Sequence, residues 1–199
     1  MKLLSICIPT VVGREDKVER LVKELERQKQ DGLSEMVEII VEKDNKEISI
    51  GTKRDLMYNK AGGLFSVQID DDDFIDEFYI HKCIMGAYHN NCCIGYKEHC
   101  LMNGEFKTSI ISLRNKQWNE YQTPANGIHY ERTPFFKTPI KTDICKAVGV
   151  KDMRYGEDHD FAIRIYPHLK SEYYIDEFMY YYSANSLTAE EHQKRYGIR

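Results

Sequence analysis

Phe65-Ser66-Val67-Gln68-Ile69-Asp70-Asp71-Asp72-Asp73 joins an alternating apolar stretch directly to four successive carboxylates. Phe65, Val67 and Ile69 alternate with polar neighbours, which predicts a strand with one well-buried face. The acids begin where that strand should end. An acidic run alone is more often a solvated turn, but its position after a buried strand favours a binding site.

The chemistry of this acidic run favours a cation. Adjacent carboxylates repel one another, and this repulsion raises some of their pKa values unless a cation lies near. Ligand sets made only of oxygen favour Mg²⁺ or Mn²⁺. The run therefore predicts a divalent metal site that serves a phosphate-bearing substrate.

Strands and helices alternate through the residues before the acidic run. The pattern predicts strands at Leu3–Ile8 and Val37–Val41, and helices from Glu15 to Gln30 and from Gly51 to Ala61. This alternation predicts an α/β fold with a mainly parallel central sheet flanked by helices. Ligands of such sheets bind beyond the carboxyl ends of the strands. Thr10, Asp44 and the acids at 70–73 should therefore meet in one crevice.

The second half of the chain has less regular patterning. The expected elements are a helix over Phe74–Tyr88, a strand over Cys92–Tyr96, a β-rich stretch over Lys107–Leu113, a loop over Gln122–Pro139, helices over Lys141–Val148 and from Glu157 through Ile165, and a strand around the tyrosines at 173–182.

Composition limits the classes of protein to consider. The chain has 199 residues, of which 42% are hydrophobic and 30% charged, and this suits one globular domain over 1–199. The formal charge of -4 gives no broad basic field for nucleic acid. No apolar run approaches the roughly 20 residues of a membrane span, and the six cysteines form no CxxC pair. We expect a cytoplasmic protein with reduced thiols, no nucleic-acid partner and no membrane span.

Two motifs in order resemble the inverting family 2 glycosyltransferases of the GT-A fold. The first strand ends in Pro9-Thr10, and a later run places an Arg, a small residue, a Gly and DxD-type acids at Arg54, Ala61, Gly63 and 70–73. The late "ED" motif appears as Gly156-Glu157-Asp158, followed by an apolar helix that contains Arg164. Asp55 stands where the family usually has Asn, and no His-x-His follows the ED motif. A looser similarity connects the chain to capsid-glycan transferases of large algal viruses.

The resemblance implies a nucleoside-diphosphate sugar donor, with UDP the expected nucleotide, and a glycan or glycoprotein acceptor. It places a Mn²⁺ or Mg²⁺ ion at Asp70 and Asp72 and the general base at Asp158, with Glu157 as the next candidate base. It also divides the chain into a nucleotide-sugar half over 1–100 and an acceptor-side half over 101–199. The expected donor contacts are Pro9, Thr10, Arg14, Asp44, Arg54, Asp70 and Asp71.

Other functions and plainer residue roles remain open at this stage. A sugar-phosphate nucleotidyltransferase uses a similar sheet and acidic site, but Val11-Val12-Gly13-Arg14 is a poor substitute for its Gly-rich basic loop. A non-catalytic nucleotide- or glycan-binding module is the other alternative. Single residues also have plainer interpretations, in which Asp44 only caps a turn, Arg54 pairs with a surface acid, and Asp160 is an ordinary helix-start acid.

Overall fold

One ten-stranded sheet with helices packed against it runs through the described part of the chain. The structure is a computed structural model that describes residues 1–29, 32–102, 104–124 and 126–183. Its strands are β1 Leu4–Val11, β2 Val37–Asp44, β3 Phe65–Gln68, β4 Phe74–Ile75, β5 Cys93–Met102, β6 Glu105–Ile111, β7 Asn119–Glu120, β8 Ile128–Arg132, β9 Ile140–Lys141 and β10 Glu172–Ser183. Its α-helices are α1 Glu15–Gln28, α2 Ile50–Lys60, α3 Tyr79–Tyr88, α4 Thr142–Val148 and α5 Glu157–Ile165.

The sheet confirms the predicted α/β class with a central parallel part. β1 lies between β2 and β3 and is parallel to both. Across the sheet the order is β2-β1-β3-β9-β5-β6-β8-β7, and β10 pairs with β5 and β4. β10 is parallel to β5 and β6 is parallel to β8, whereas β4, β7 and β9 pair antiparallel with their neighbours. The carboxyl ends of β1, β2 and β3 therefore meet at one edge.

The core explains why the early elements are readable from the sequence. Leu4, Ile6 and Ile8 on one face of β1 are buried, and so is Cys7 on the other, as a continuous apolar run predicts. In α1, Leu21 and Leu25 are the buried members of the predicted apolar stripe. None of the helices in the described ranges is both long and apolar enough to cross a bilayer.

Several predicted bounds are wrong, and long-range pairing explains the main errors. Phe74–Ile75 is not helical, because it pairs antiparallel with Tyr180 and Tyr181 of β10, so the helix begins only at Tyr79. The strand predicted over Cys92–Tyr96 continues to Met102 because it pairs with β6 along its length.

Two further predictions differ from the structure. The loop predicted over Gln122–Pro139 contains β8, which pairs with β6 and β7. The predicted first helix ends at Gln28, and its expected last residue, Gln30, lies outside the described residues. The division of the chain at residue 100, a position within β5, stays a prediction.

Candidate active site

The acidic run forms a tight turn directly after β3, as the sequence predicts. Asp71 and Asp73 are each 1% exposed, whereas the side chains of Asp70 and Asp72 are 29% and 25% exposed. The four carboxylates therefore alternate between the protein interior and the open side. Of the four side chains, only those of Asp70 and Asp72 are partly open to solvent.

Residues from the end of β1 and the start of α1 neutralise the turn. Thr10 Oγ1 donates a hydrogen bond of 2.6 Å to Asp71. Arg14 Nη2 lies 2.7 Å from Asp71 Oδ1 and 2.5 Å from Asp72 Oδ2, and Lys17 Nζ lies 3.6 Å from the same Asp72 oxygen. Burial raises the pKa of Asp71, although the Thr10 hydrogen bond and the Arg14 charge oppose that rise.

The backbone of the turn is held from both sides. Arg20 of α1 donates to the carbonyl oxygens of Asp71 and Asp73, at 3.0 and 2.8 Å. Tyr180 of β10 donates its hydroxyl to Asp73 Oδ2 at 2.6 Å. Burial raises the pKa of Asp73 to about 7, against the opposing charge of Lys137, whose Nζ lies 3.6 Å away. Asp73 is therefore part of the interior support of the turn.

Arg54 connects the two acidic motifs that the sequence analysis singled out. Its guanidinium donates to Asp70 Oδ1 at 2.9 Å, to Glu157 Oε1 at 3.2 Å and to Gln68 Oε1 at 3.1 Å. It also stacks over the Phe136 ring at 3.6 Å. Burial opposes ionisation of Asp70, but the charge of Arg54 outweighs it, with help from Lys137, and lowers the pKa of Asp70. The pairing with a surface acid considered for Arg54 is wrong, since Arg54 is buried.

The second acidic motif opens α5. Gly156 precedes this helix with a positive φ of 78°, a conformation that favours glycine. Glu157 turns inward to Arg54 and is buried, whereas Asp158 is half-buried, with Oδ1 accepting the His159 backbone N–H at 2.7 Å. Of the two candidate bases, only Asp158 is left without a cation paired to it among the described ion pairs.

The segment before α5 is packed tightly on α2. Gly51 N donates to Met153 O at 3.0 Å, and a Cβ on Gly51 would lie 2.0 Å from the Lys151 carbonyl oxygen. Only glycine permits this approach. Tyr58 of α2 also stacks on Phe161 of α5, with ring centroids 5.6 Å apart. The start of α5 is thus fixed against the helix that carries Arg54.

A cleft of about 780 Å³ lies between the acidic turn and the start of α5. Four of the residues predicted from the sequence line it, namely Arg54, Asp70, Glu157 and Asp158. Aromatic side chains also line the cleft, including Trp118, Tyr130, Phe135 and Tyr182. The cleft thus brings together a carboxylate of the DxD-type run, the candidate base and flat ring surfaces that would suit a sugar.

Side-chain contacts link the carboxyl ends of β1 and β2. Asp44 accepts from the backbone N–H of Ile48 at 3.2 Å and pairs with the Nζ of Lys53, which also donates to Thr10 O at 2.6 Å. Burial opposes ionisation of Asp44, but the Lys53 hydrogen bond outweighs it and lowers its pKa. Asp44 therefore does cap a turn, as its plainer interpretation holds. Pro9 is buried at the end of β1 next to Thr10.

The acids of the turn provide only part of a metal site. Within the described ranges, no three Asp, Glu, His or Cys side chains form a group that would hold a metal alone. Asp70 and Asp72 are the two partly exposed carboxylates, and Mg²⁺ is typically held by one or two carboxylates together with substrate phosphates. In this structure Asp70 pairs with Arg54, and Asp72 pairs with Arg14 and Lys17, so protein cations already neutralise both carboxylates.

Four residues of the site were missed by the sequence analysis: Lys53, Glu98, Lys137 and Tyr180. Lys137 Nζ lies 2.9 Å from Glu98 Oε1. Burial opposes the positive charge of Lys137, but the negative charges of Glu98, Asp73 and Asp70 outweigh it and raise the pKa of Lys137. Two of these residues have a feature in the sequence, since Lys53 stands at a predicted helix start and Tyr180 in the tyrosine-rich tail. Neither feature indicates which distant residue the side chain contacts. Asp160, by contrast, pairs with Lys151 and Arg164, as expected of an ordinary helix-start acid.

Comparisons with known proteins identify the fold. No protein-family model and no curated protein sequence matches the chain. Among solved structures, the chain is similar in fold to S. aureus TarS. The TarS 1-349 complex with UDP-GlcNAc superimposes with a TM-score of 0.68 at 17% identity, over 98% of this chain and 62% of that one.

Two further TarS structures give the same result. The complex with UDP has a TM-score of 0.67 at 18% identity, over 98% of this chain and 63% of that one. The longer TarS structure has a TM-score of 0.66 at 18% identity, over 98% of this chain and 38% of that one. This chain thus spans less than two thirds of the length of these structures, and the likeness is one of fold.

Proposed function

We propose that this chain is a glycosyltransferase that moves a sugar from a nucleoside-diphosphate sugar, with UDP as the nucleotide, to a hydroxyl of an acceptor glycan or glycoprotein. One observation carries this proposal. Asp70 and Asp158, which are far apart in the sequence, line the same cleft in a fold that TarS shares, and TarS was solved with UDP-GlcNAc. The order of the two acidic motifs supports assignment to the inverting family 2 enzymes.

In this proposal Asp158 is the general base. As the acceptor oxygen attacks the anomeric carbon, its proton passes to a carboxylate oxygen of Asp158. The bond from that carbon to the diphosphate oxygen breaks, and the nucleoside diphosphate leaves. A single displacement of this kind inverts the anomeric configuration. Asp158 suits the role because it opens α5, where the helix N-terminus favours a negative charge.

Glu157 takes a positioning role in this proposal. Its carboxylate is buried and already paired with Arg54, so Asp158 is the better placed of the two to meet an acceptor hydroxyl. Because Arg54 also binds Asp70, the pair fixes the distance between the donor side and the base. Positioning of this kind matters because a misplacement of about 1 Å would cost roughly 100-fold in rate.

The donor side combines the acidic turn with the ends of β1 and β2. Asp70 and Asp72 would hold Mn²⁺ or Mg²⁺, which when bound neutralises charge that builds on the leaving diphosphate. Thr10 and Arg14 fix Asp71, so they would support the diphosphate site indirectly. Pro9 and Asp44 would border the nucleotide at the strand ends.

A panel of nucleotide sugars tests the proposal. Thermal unfolding is followed with Mn²⁺ and each nucleotide sugar, and a donor at 100 times its dissociation constant should stabilise the protein by about 2.7 kcal/mol. Release of nucleoside diphosphate by water is then measured with the same donors. Stabilisation without any donor turnover would favour the non-catalytic binding module. Release of pyrophosphate from a nucleotide and a sugar phosphate would favour the nucleotidyltransferase.

A further inference from the structure

A row of side chains crosses four neighbouring strands beside the cleft. In the strand registers, Tyr180 of β10 lies beside Glu98 of β5, Glu98 faces Ser109 of β6, and Ser109 lies beside Tyr130 of β8. Side chains at paired positions project from the same face of a sheet. Glu98, Ser109 and Tyr130 all line the cleft, so the row faces the ligand space.

Ser109 is the smallest member of this row and has an unused hydroxyl. It is 1% exposed, and its Oγ is a buried polar atom with no hydrogen-bond partner in the described structure. An unpartnered buried hydroxyl is costly, because the group has lost its water without gaining a partner. We call the position of Ser109, between the larger side chains of Glu98 and Tyr130 in the strand registers, the notch. A ligand hydroxyl or hydroxymethyl group entering this notch would supply the missing hydrogen bond.

The row begins at the acidic turn. Tyr180 donates to Asp73, and Lys137 lies between Glu98 and Asp73, at 2.9 and 3.6 Å. Ser109 is two strands away from Tyr180, or about 10 Å across the sheet. A phosphate and a hexose ring together span such a distance. A sugar attached to a diphosphate at Asp70 would therefore reach the notch.

We propose that Ser109 and Glu98 form the subsite that recognises a hydroxyl or hydroxymethyl group of the donor sugar. The inference rests on the proposed function and adds the residues that select the sugar. Ser109 would accept or donate one hydrogen bond, and the Glu98 carboxylate, held by Lys137, would accept a second from the ligand. The subsite also places part of donor recognition on β6, which lies in the half of the chain expected to bind the acceptor.

Paired titrations with UDP and with UDP-linked hexoses test this subsite. Calorimetry at fixed Mn²⁺ gives the affinities of UDP, UDP-glucose, UDP-galactose and UDP-GlcNAc for the wild type and for Ser109→Ala and Ser109→Val. Ser109→Ala should weaken the preferred UDP-sugar by roughly 2- to 10-fold, the equivalent of one neutral hydrogen bond. Ser109→Val fills the notch and should weaken it further. UDP itself should bind all three proteins equally.

Thr108→Val is the matched control, because Thr108 neighbours Ser109 on β6 but projects from the other face of the sheet. It should leave every affinity unchanged. Ser109→Ala should not lower the melting temperature, since no hydrogen bond within the protein is lost, whereas a structural hydroxyl would give a clear decrease.

The possible outcomes are distinct. Unchanged UDP-sugar affinity in both Ser109 variants, or an equal loss for UDP and UDP-sugar, would overturn the subsite alone. A loss confined to the acceptor KM would assign the notch to the acceptor and would likewise overturn it. A wild-type protein that binds neither UDP nor any UDP-sugar would overturn the proposed function, and the subsite with it.

Discussion

Replacing Arg54 by methionine removes the contact between the two acidic motifs while keeping an unbranched side chain of similar length. Arg54 is 4% exposed and forms hydrogen bonds with Asp70, Glu157 and Gln68 at 2.9 to 3.2 Å. Without it, the carboxylates of Asp70 and Glu157 lose the cation that they share. Breaking a buried ion pair from one side costs about 3 to 5 kcal/mol. For a chain of this size, the melting temperature should fall by about 6 to 20 °C.

Differential scanning calorimetry measures this loss, with Arg27→Met as the control. Arg27 pairs with Glu24 on the exposed face of α1, so its loss should cost at most about 1 kcal/mol. Adding Glu157→Gln to Arg54→Met removes one uncompensated charge and should restore part of the stability. The reasoning is refuted if Arg54→Met is no less stable than Arg27→Met, or if the double variant is less stable than the sum of the two single changes.

Three other substitutions separate the roles of individual acids. Asp72→Ala should abolish the Mn²⁺ dependence of donor binding while the protein stays folded, and unchanged metal dependence would contradict the metal assignment. Asp44→Ala should weaken UDP and UDP-sugar equally, by about 1 to 3 kcal/mol, whereas a loss confined to turnover would place Asp44 in the chemistry. Burial opposes ionisation of Asp160, but the hydrogen bonds from Lys151 and Arg164 outweigh it and lower its pKa, so this carboxylate stabilises the fold above about pH 4 and less as pH falls further. Asp160→Asn should therefore transfer sugar normally and melt below the wild type at pH 7, with the gap closing towards pH 2; a gap that persists at pH 2 would contradict this.

The sequence is most informative where structure is determined locally. β1 and β3 are recognisable from their apolar residues alone, and α2 is flanked by a Ser49 cap and by glycines that follow its last turn. The meeting of Thr10 with the acidic turn also follows from the parallel sheet, because carboxyl ends of parallel strands share one edge. The hydrogen bond from Thr10 to Asp71 confirms that expectation.

The rest of the site depends on contacts between distant residues. Phe74 pairs with Tyr181, and Lys137 pairs with Glu98. The sequence around each of these residues does not indicate which distant residue it contacts. The inward turn of Glu157 toward Arg54 has the same origin. The sequence could place both acids of the ED motif in one site, but only the packing of α5 against α2 distinguishes the buried acid that pairs with Arg54 from the half-buried one beside it.

Asp158→Asn, with donor binding and sugar transfer measured on the same preparation, tests the central claim most directly. A base acts only on the acceptor, so the variant should bind the donor and Mn²⁺ nearly as the wild type does but transfer sugar about 10² to 10⁴ times more slowly. Hydrolysis of the donor should fall with transfer, since water needs the same proton acceptor. Asn is itself a good residue at a helix start, so a purely structural Asp158 would leave stability and rate almost unchanged. Near-normal transfer by Asp158→Asn would contradict the account.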